Sequence, residues 1–128
     1  MSLFKTHLKI LLVEDSQPQI KLIAKVLSKI GGVETLLCHD AFEAYALLRA
    51  SSRVDLVILD VNLPFSDGLG LLRKLRSLAE YQNLPVLMST AQDKTEAYLN
   101  AGATGVLIKP YDLDQLKGFI ESYRPQAS

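Results

Sequence analysis

The sequence predicts a doubly wound α/β domain, a five-stranded parallel sheet flanked by five helices. Short, nearly continuous apolar runs alternate with stretches whose apolar residues recur at helical spacing, and the alternation repeats five times. Continuous apolarity, as opposed to every-other-residue apolarity, marks strands buried on both faces, as in a parallel sheet covered by helices. With 128 residues, 48% hydrophobic and 22% charged, the chain is long enough for one core and far from disordered composition. We expect one domain over 1–128, its core over about 7–123, with a short polar tail at 124–128.

Leu8 to Val13 is the first buried strand. Ile20, Ile23, Ala24, Leu27 and Ile30 then share one helical face, with Pro18 in the first turn and Gly31-Gly32 as the stop. Val33 to Cys38 is the second strand. Asp40 with Glu43 three residues on resembles a capping box, opening a helix whose expected inner face is Ala44, Leu47 and Leu48. After a loop at Ser51-Ser52, Val54 to Leu59 is the third strand, and Leu69, Leu72 and Leu75, with Leu78 as a further candidate, mark the next helix. Leu84 to Ser89 is the fourth strand, with Pro85 near its start, where a missing donor costs least. Asp93 and Glu96 open a short helix closed by Gly102. Val106 to Ile108 is the fifth strand, and Leu113, Leu116, Phe119 and Ile120 face a final helix.

Charge and composition narrow the function. Fourteen Lys and Arg balance fourteen Asp and Glu, a poor basis for gripping a phosphate backbone, so no direct nucleic-acid binding is expected. The one cysteine, Cys38, closes no internal disulfide and reads as a small packed hydrophobe. No apolar run approaches the ~18 residues of a membrane span, and the start of the chain lacks a signal-peptide pattern, so the expected location is the cytoplasm. His7 and His39 lack metal-ligand spacing. Gly68 and Gly70 form no nucleotide fingerprint, because no G-x-G-x-x-G follows a strand. Tyr98 and Tyr111 read as half-buried tyrosines at helix edges more than as an interaction face.

In open α/β sheets, ligands bind outside the carboxyl ends of the strands. Glu14 and Asp15 follow the first strand and Asp60 the third, while Ser89-Thr90 ends the fourth and Lys109-Pro110 the fifth. Each alone reads most simply as a cap or a solvated side chain; together they converge on one edge. Like charges about 4 Å apart repel by roughly 1 kcal/mol in water and roughly 4 kcal/mol at an effective dielectric of 20, so the gathered carboxylates call for a cation. Oxygen donors without His or Cys select a hard ion, Mg²⁺ or Mn²⁺. With a hydroxyl and an ammonium opposite, the set suits phosphoryl transfer in which a carboxylate is the nucleophile.

The motifs V-E-D-S at 13–16, I-L-D-V-N-L-P at 58–64 continuing to Asp67-Gly68, M-S-T-A at 88–91, A-G-A-T-G at 101–105 and I-K-P-Y at 108–111 appear in order. From about Leu8 to Tyr123 the chain resembles a response-regulator receiver domain of two-component signalling. The resemblance implies the flavodoxin-like strand order 2-1-3-4-5. It makes Asp60 the acceptor of a phosphoryl group from a phosphohistidine, with Mg²⁺ (Mn²⁺ as the alternative) held by Glu14, Asp15, Asp60 and the Asn62 carbonyl. Thr90 is then the hydroxyl that bonds a phosphoryl oxygen, Lys109 the lysine that pairs with acceptor and phosphate, and Lys109-Pro110 a peptide bond that is often cis.

The implied partners are a sensor histidine kinase or phosphotransfer protein, plus an output protein or a covalently linked output domain absent from this chain; a homodimer on phosphorylation also fits. Self-phosphorylation and self-dephosphorylation would be the only reactions, with Asn62 and Gln92 tuning the second. One position departs from the family pattern: Val106 stands where an aromatic ring is common, which puts the usual hydroxyl-to-ring switch in doubt and leaves the region around Asp93 to Ala101 to respond instead. Val106 is also the one feature favouring the alternative, a phosphorylation-independent pseudo-receiver that only binds partners. A flavin carrier is disfavoured because E-D-S-Q-P after the first strand repels phosphate. A phosphatase with an Asp nucleophile would carry it on the first strand and need a cap domain.

Overall fold

The computed structural model describes residues 7–50, 53–64 and 66–123; the expected Ser51-Ser52 loop and the tail at 124–128 lie outside them. In chain order the elements are β1 (Leu8–Val13), α1 (Gln17–Ser28), β2 (Val33–Cys38), α2 (Ala41–Ala50), β3 (Leu56–Asp60), α3 (Gly68–Arg76), β4 (Val86–Thr90), α4 (Thr95–Asn100), β5 (Gly105–Ile108) and α5 (Leu113–Ser122). The five strands are all parallel and lie in the order β2-β1-β3-β4-β5, the order the resemblance implied.

Strand alternation divides the core into two faces. Leu11, Val13, Val57, Leu59, Val86 and Met88 pack against Ala44 and Leu48 of α2 and Leu71, Leu72 and Leu75 of α3. Ile10, Leu12, Ile58, Leu87 and Leu107 pack against Ile23 and Leu27 of α1 and Leu116 and Ile120 of α5. The central strands β3 and β4 are wholly buried, which is why they read as continuous apolar runs. Edge strand β2 exposes Glu34, Thr35 and Leu37.

Several local expectations shift. Strand β3 starts at Leu56, not Val54, because Asp55 is tied sideways to β1: its amide donates to the Lys9 carbonyl at 2.8 Å, and its carboxylate accepts the Lys9 amide at 2.9 Å. Strand β4 starts at Val86, after a turn in which the Leu84 amide donates to the Tyr81 carbonyl at 3.3 Å. Leu78 lies past the end of α3, leading into a 3-10 turn at Ala79–Tyr81, whereas Leu71 is a buried α3 residue the periodicity reading left out. At α2, Asp40 accepts the Glu43 amide at 2.8 Å, but Glu43 reaches back to the His39 amide at 3.4 Å, one residue short of a capping box. The full capping box belongs to α5, where Asp112 and Gln115 exchange bonds of 2.8 and 3.0 Å. An unanticipated two-residue hairpin pairs Asn62–Leu63 with Ser66–Asp67, and Asp67 then caps α3 by accepting the Gly70 amide at 2.7 Å.

Tyr98 is buried in the core at 4% exposure, not half-buried, while Tyr111 is half-buried as expected. His7 and His39 are exposed and bonded to Glu34 and Glu43. Cys38 is fully buried, and burial pushes its thiol up to about 11, so it packs as a hydrophobe. No helix among the described residues is long and apolar enough to cross a membrane.

Candidate functional site

The ladder runs one residue past the strands at their carboxyl edge and fixes the backbone there. The Glu14 amide donates to the Cys38 carbonyl at 3.0 Å, Val61 to Ser89 at 3.0 Å, and Lys109 to Thr90 at 2.7 Å. Strand parity places Glu14, Asp60 and Lys109 on the α1/α5 side of the sheet, in line with Leu12, Ile58 and Leu107. Their side chains meet. Lys109 Nζ lies 3.5 Å from Glu14 Oε1 and 3.4 Å from Asp60 Oδ1. The peptide bond that follows, Lys109-Pro110, is cis.

Glu14 is 1% exposed and Asp60 5%. Asp15 is exposed, and one carboxylate oxygen from each of Glu14, Asp15 and Asp60 lies within 4.8 Å of the others. The Glu14 carboxyl is pushed up to about 7, first by burial and then by its hydrogen bond to Asp60 and the Asp60 charge; Lys109 and the Ser16 amide, 3.3 Å from Oε2, only partly oppose this. One ammonium therefore does not neutralise the cluster. A hard divalent cation fits both the donor chemistry and the missing charge.

The Asn62 amide donates to Asp60 Oδ1 at 3.2 Å, so Asn62 and Lys109 grip the same oxygen and set the plane of the carboxylate. Thr90, at the buried end of β4, accepts the Gln92 amide on Oγ1 at 3.0 Å. That bond uses a lone pair and leaves the hydroxyl proton available to donate. Val106 is half-buried on the α2/α3 side of the sheet, an aliphatic neighbour of that core. All six sequence-predicted site residues thus lie at one edge, with Glu14, Asp15, Asp60 and Lys109 in a single cluster.

Two features escaped sequence reasoning. At Gly68 an added Cβ would stand 2.2 Å from the Asp60 carbonyl oxygen, and the Gly68 amide donates to Val61 at 2.7 Å. The glycine is required because the start of α3 packs directly on the backbone of Asp60; the signal was the Asp67-Gly68 pair, which in sequence reasoning served only as part of the family motif. The other is the contact of Ser89 with Tyr111.

The sequence pattern of the response regulator receiver domain matches residues 10–121. The chain belongs to that family. A phosphoacceptor role is general to receiver domains. This receiver domain is 32% identical over 117 residues to a chemotaxis protein CheY homolog of Campylobacter jejuni, covering 89% of this chain and 90% of that protein. It is similar to the phosphorylated cyanobacterial phytochrome response regulator RcpA with a TM-score of 0.83 at 30% identity, over 95% of this chain and 99% of the other. The receiver domain of sensor histidine kinase PA1611 from Pseudomonas aeruginosa, with a magnesium ion coordinated in its active site cleft, gives a TM-score of 0.81 at 26% identity, over 91% and 97% of the two chains.

Proposed function

We propose that this chain, as a single receiver unit, accepts a phosphoryl group on Asp60 from the phosphohistidine of a sensor histidine kinase or phosphotransfer protein in the cytoplasm. The observation that carries this reading is Lys109 bridging Glu14 and Asp60 inside a cluster of three carboxylates. Glu14, Asp15, Asp60 and the Asn62 carbonyl would hold Mg²⁺, or Mn²⁺, which supplies positive charge to the phosphoryl oxygens. The Asp60 carboxylate forms a bond to phosphorus as the phosphorus–nitrogen bond of the donor breaks, and the leaving imidazole takes a proton from water. Lys109, already between the two buried carboxylates, pairs with a phosphoryl oxygen as charge builds there. Thr90 donates its free hydroxyl proton to another. Asn62 and Gln92 flank the path of the water that later hydrolyses the acyl phosphate. The chemistry is confined to the protein's own phosphorylation and dephosphorylation, and the phosphorylated form changes its contacts with an output protein or domain.

Intact-protein mass after incubation with acetyl phosphate tests this. One phosphoryl group is expected on the wild type with Mg²⁺, and none without the metal or in Asp60→Asn. Wild type that binds neither a phosphoryl group nor beryllofluoride would instead be a phosphorylation-independent interaction module.

A further inference from the structure

Behind the carboxylates, on the side of the sheet facing α1 and α5, two hydroxyls meet. Ser89, 1% exposed, donates from Oγ to the Tyr111 phenol at 3.3 Å. Successive residues of β4 point to opposite faces: Leu87 belongs to the α1/α5 core and Met88 to the other, so Ser89 points with Leu87 and Thr90 with Met88. Ser89 is also the register partner of Asp60 across β3 and β4, and its carbonyl receives the Val61 amide. Tyr111 follows Lys109 by two residues and packs in the cluster that holds Leu113, Phe119 and Tyr123 beside α5. The phenol lies close enough to the site for the Glu14 and Asp60 charges to add to the burial that raises its pKa.

We propose that Tyr111 is the positioning residue that couples occupancy of the Asp60 site to α5. The proposal rests on the reading of Asp60 as phosphoacceptor. A phosphoryl group on Asp60 draws Thr90, whose neighbour on the strand is Ser89, and Lys109, whose loop carries Tyr111. One event therefore displaces both ends of one hydrogen bond. At 3.3 Å this bond is longer than the roughly 2.5–3.0 Å usual for hydroxyl pairs, so it is weak and easily exchanged. The ring is not free to move alone, because it packs against the same buried cluster as Leu113 and Phe119 of α5, and its displacement resets the start of that helix. Val106, on the opposite face, has no polar end with which to take part.

The test is amide hydrogen exchange over α5, residues 113–122, with Mg²⁺ and with or without beryllofluoride, in the wild type, Tyr111→Phe and Ser89→Ala. Bound mimic is followed separately by its fluorine resonance. A severalfold change in α5 exchange is expected in the wild type on binding the mimic. In both variants that change should disappear while the mimic still binds and exchange around Asp60 still responds. An α5 response that survives in both variants overturns the coupling, as does a wild type that binds the mimic without one. Loss of mimic binding in either variant would place the pair within the site itself and also overturn it. A wild type that fails to bind the mimic removes the phosphoacceptor reading first, and the coupling with it.

Discussion

Glu14 shows how one buried carboxyl sets the protein's response to pH. Folding raises it from an ordinary 4.5 to about 7, so across that window the native state keeps a proton that the unfolded chain has released. Stability then falls as pH rises from about 4.5 to about 7, and above that the loss is constant. The urea midpoint of the metal-free protein should accordingly drop between pH 5 and pH 7, and Glu14→Gln should flatten that drop. Added Mg²⁺ should raise the midpoint most at the upper end, where Glu14 is ionised and has too little positive charge beside it. The two glycines at positions 68 and 118 respond in opposite directions. Gly68→Ala forces a Cβ against the Asp60 carbonyl at 2.2 Å, a backbone clash that nothing flexible relieves. It should cost about 1–3 kcal/mol in urea melts and slow phosphorylation by acetyl phosphate, since Asp60 itself is pushed. Gly118, inside α5, has nothing within 4 Å of its added Cβ, and Gly118→Ala should stabilise by about 0.5–1 kcal/mol without altering phosphorylation.

Among the elements, α3 holds the sheet's far corner through one side chain. Arg76 in its last turn donates to the Gly102 carbonyl at 2.8 Å, the Tyr81 carbonyl at 2.6 Å and Thr104 Oγ1 at 3.5 Å. Gly102, at φ +107°, needs glycine twice over, because an added Cβ would also stand 2.8 Å from Arg76 Cγ. Thr104 in turn accepts the Val86 amide on Oγ1 at 3.0 Å and the Tyr123 hydroxyl on its carbonyl at 3.1 Å. One guanidinium therefore joins α3, the 3-10 turn and the connection from α4 to β5. Arg76→Met keeps the aliphatic stem but takes the guanidinium donor from the Gly102 carbonyl and leaves the Tyr81 carbonyl with the Leu84 amide alone, at a cost of about 1–3 kcal/mol by thermal denaturation. Amide exchange at Ala103 and Thr104 should rise while phosphoryl uptake at the opposite edge of the sheet is retained. The helices themselves were legible where periodicity was strong, as in α1 and α5. The hairpin that starts at Asn62 was not, since a two-residue pairing leaves no periodic trace, whereas the capping box of α5 stands in the sequence as Asp112 and Gln115 three residues apart.

For the molecule as a whole, the parallel sheet gathers chemistry at one edge because every strand runs the same way. Residues far apart in sequence, such as Glu14 and Lys109, end on that edge together with Asp60 and Asp15. This much follows from the order of apolar runs and from which polar residue ends each of them. By itself the sequence determined the five βα units, the strand-end residue types and the family, because these rest on local periodicity and short contiguous motifs. The tertiary structure decided how strongly Glu14 holds its proton, why position 68 must be glycine, and that Ser89 meets Tyr111 across 22 residues. Those properties depend on burial, on the approach of one backbone to another and on side chains brought together from separate strands and loops. No window of neighbouring residues contains them.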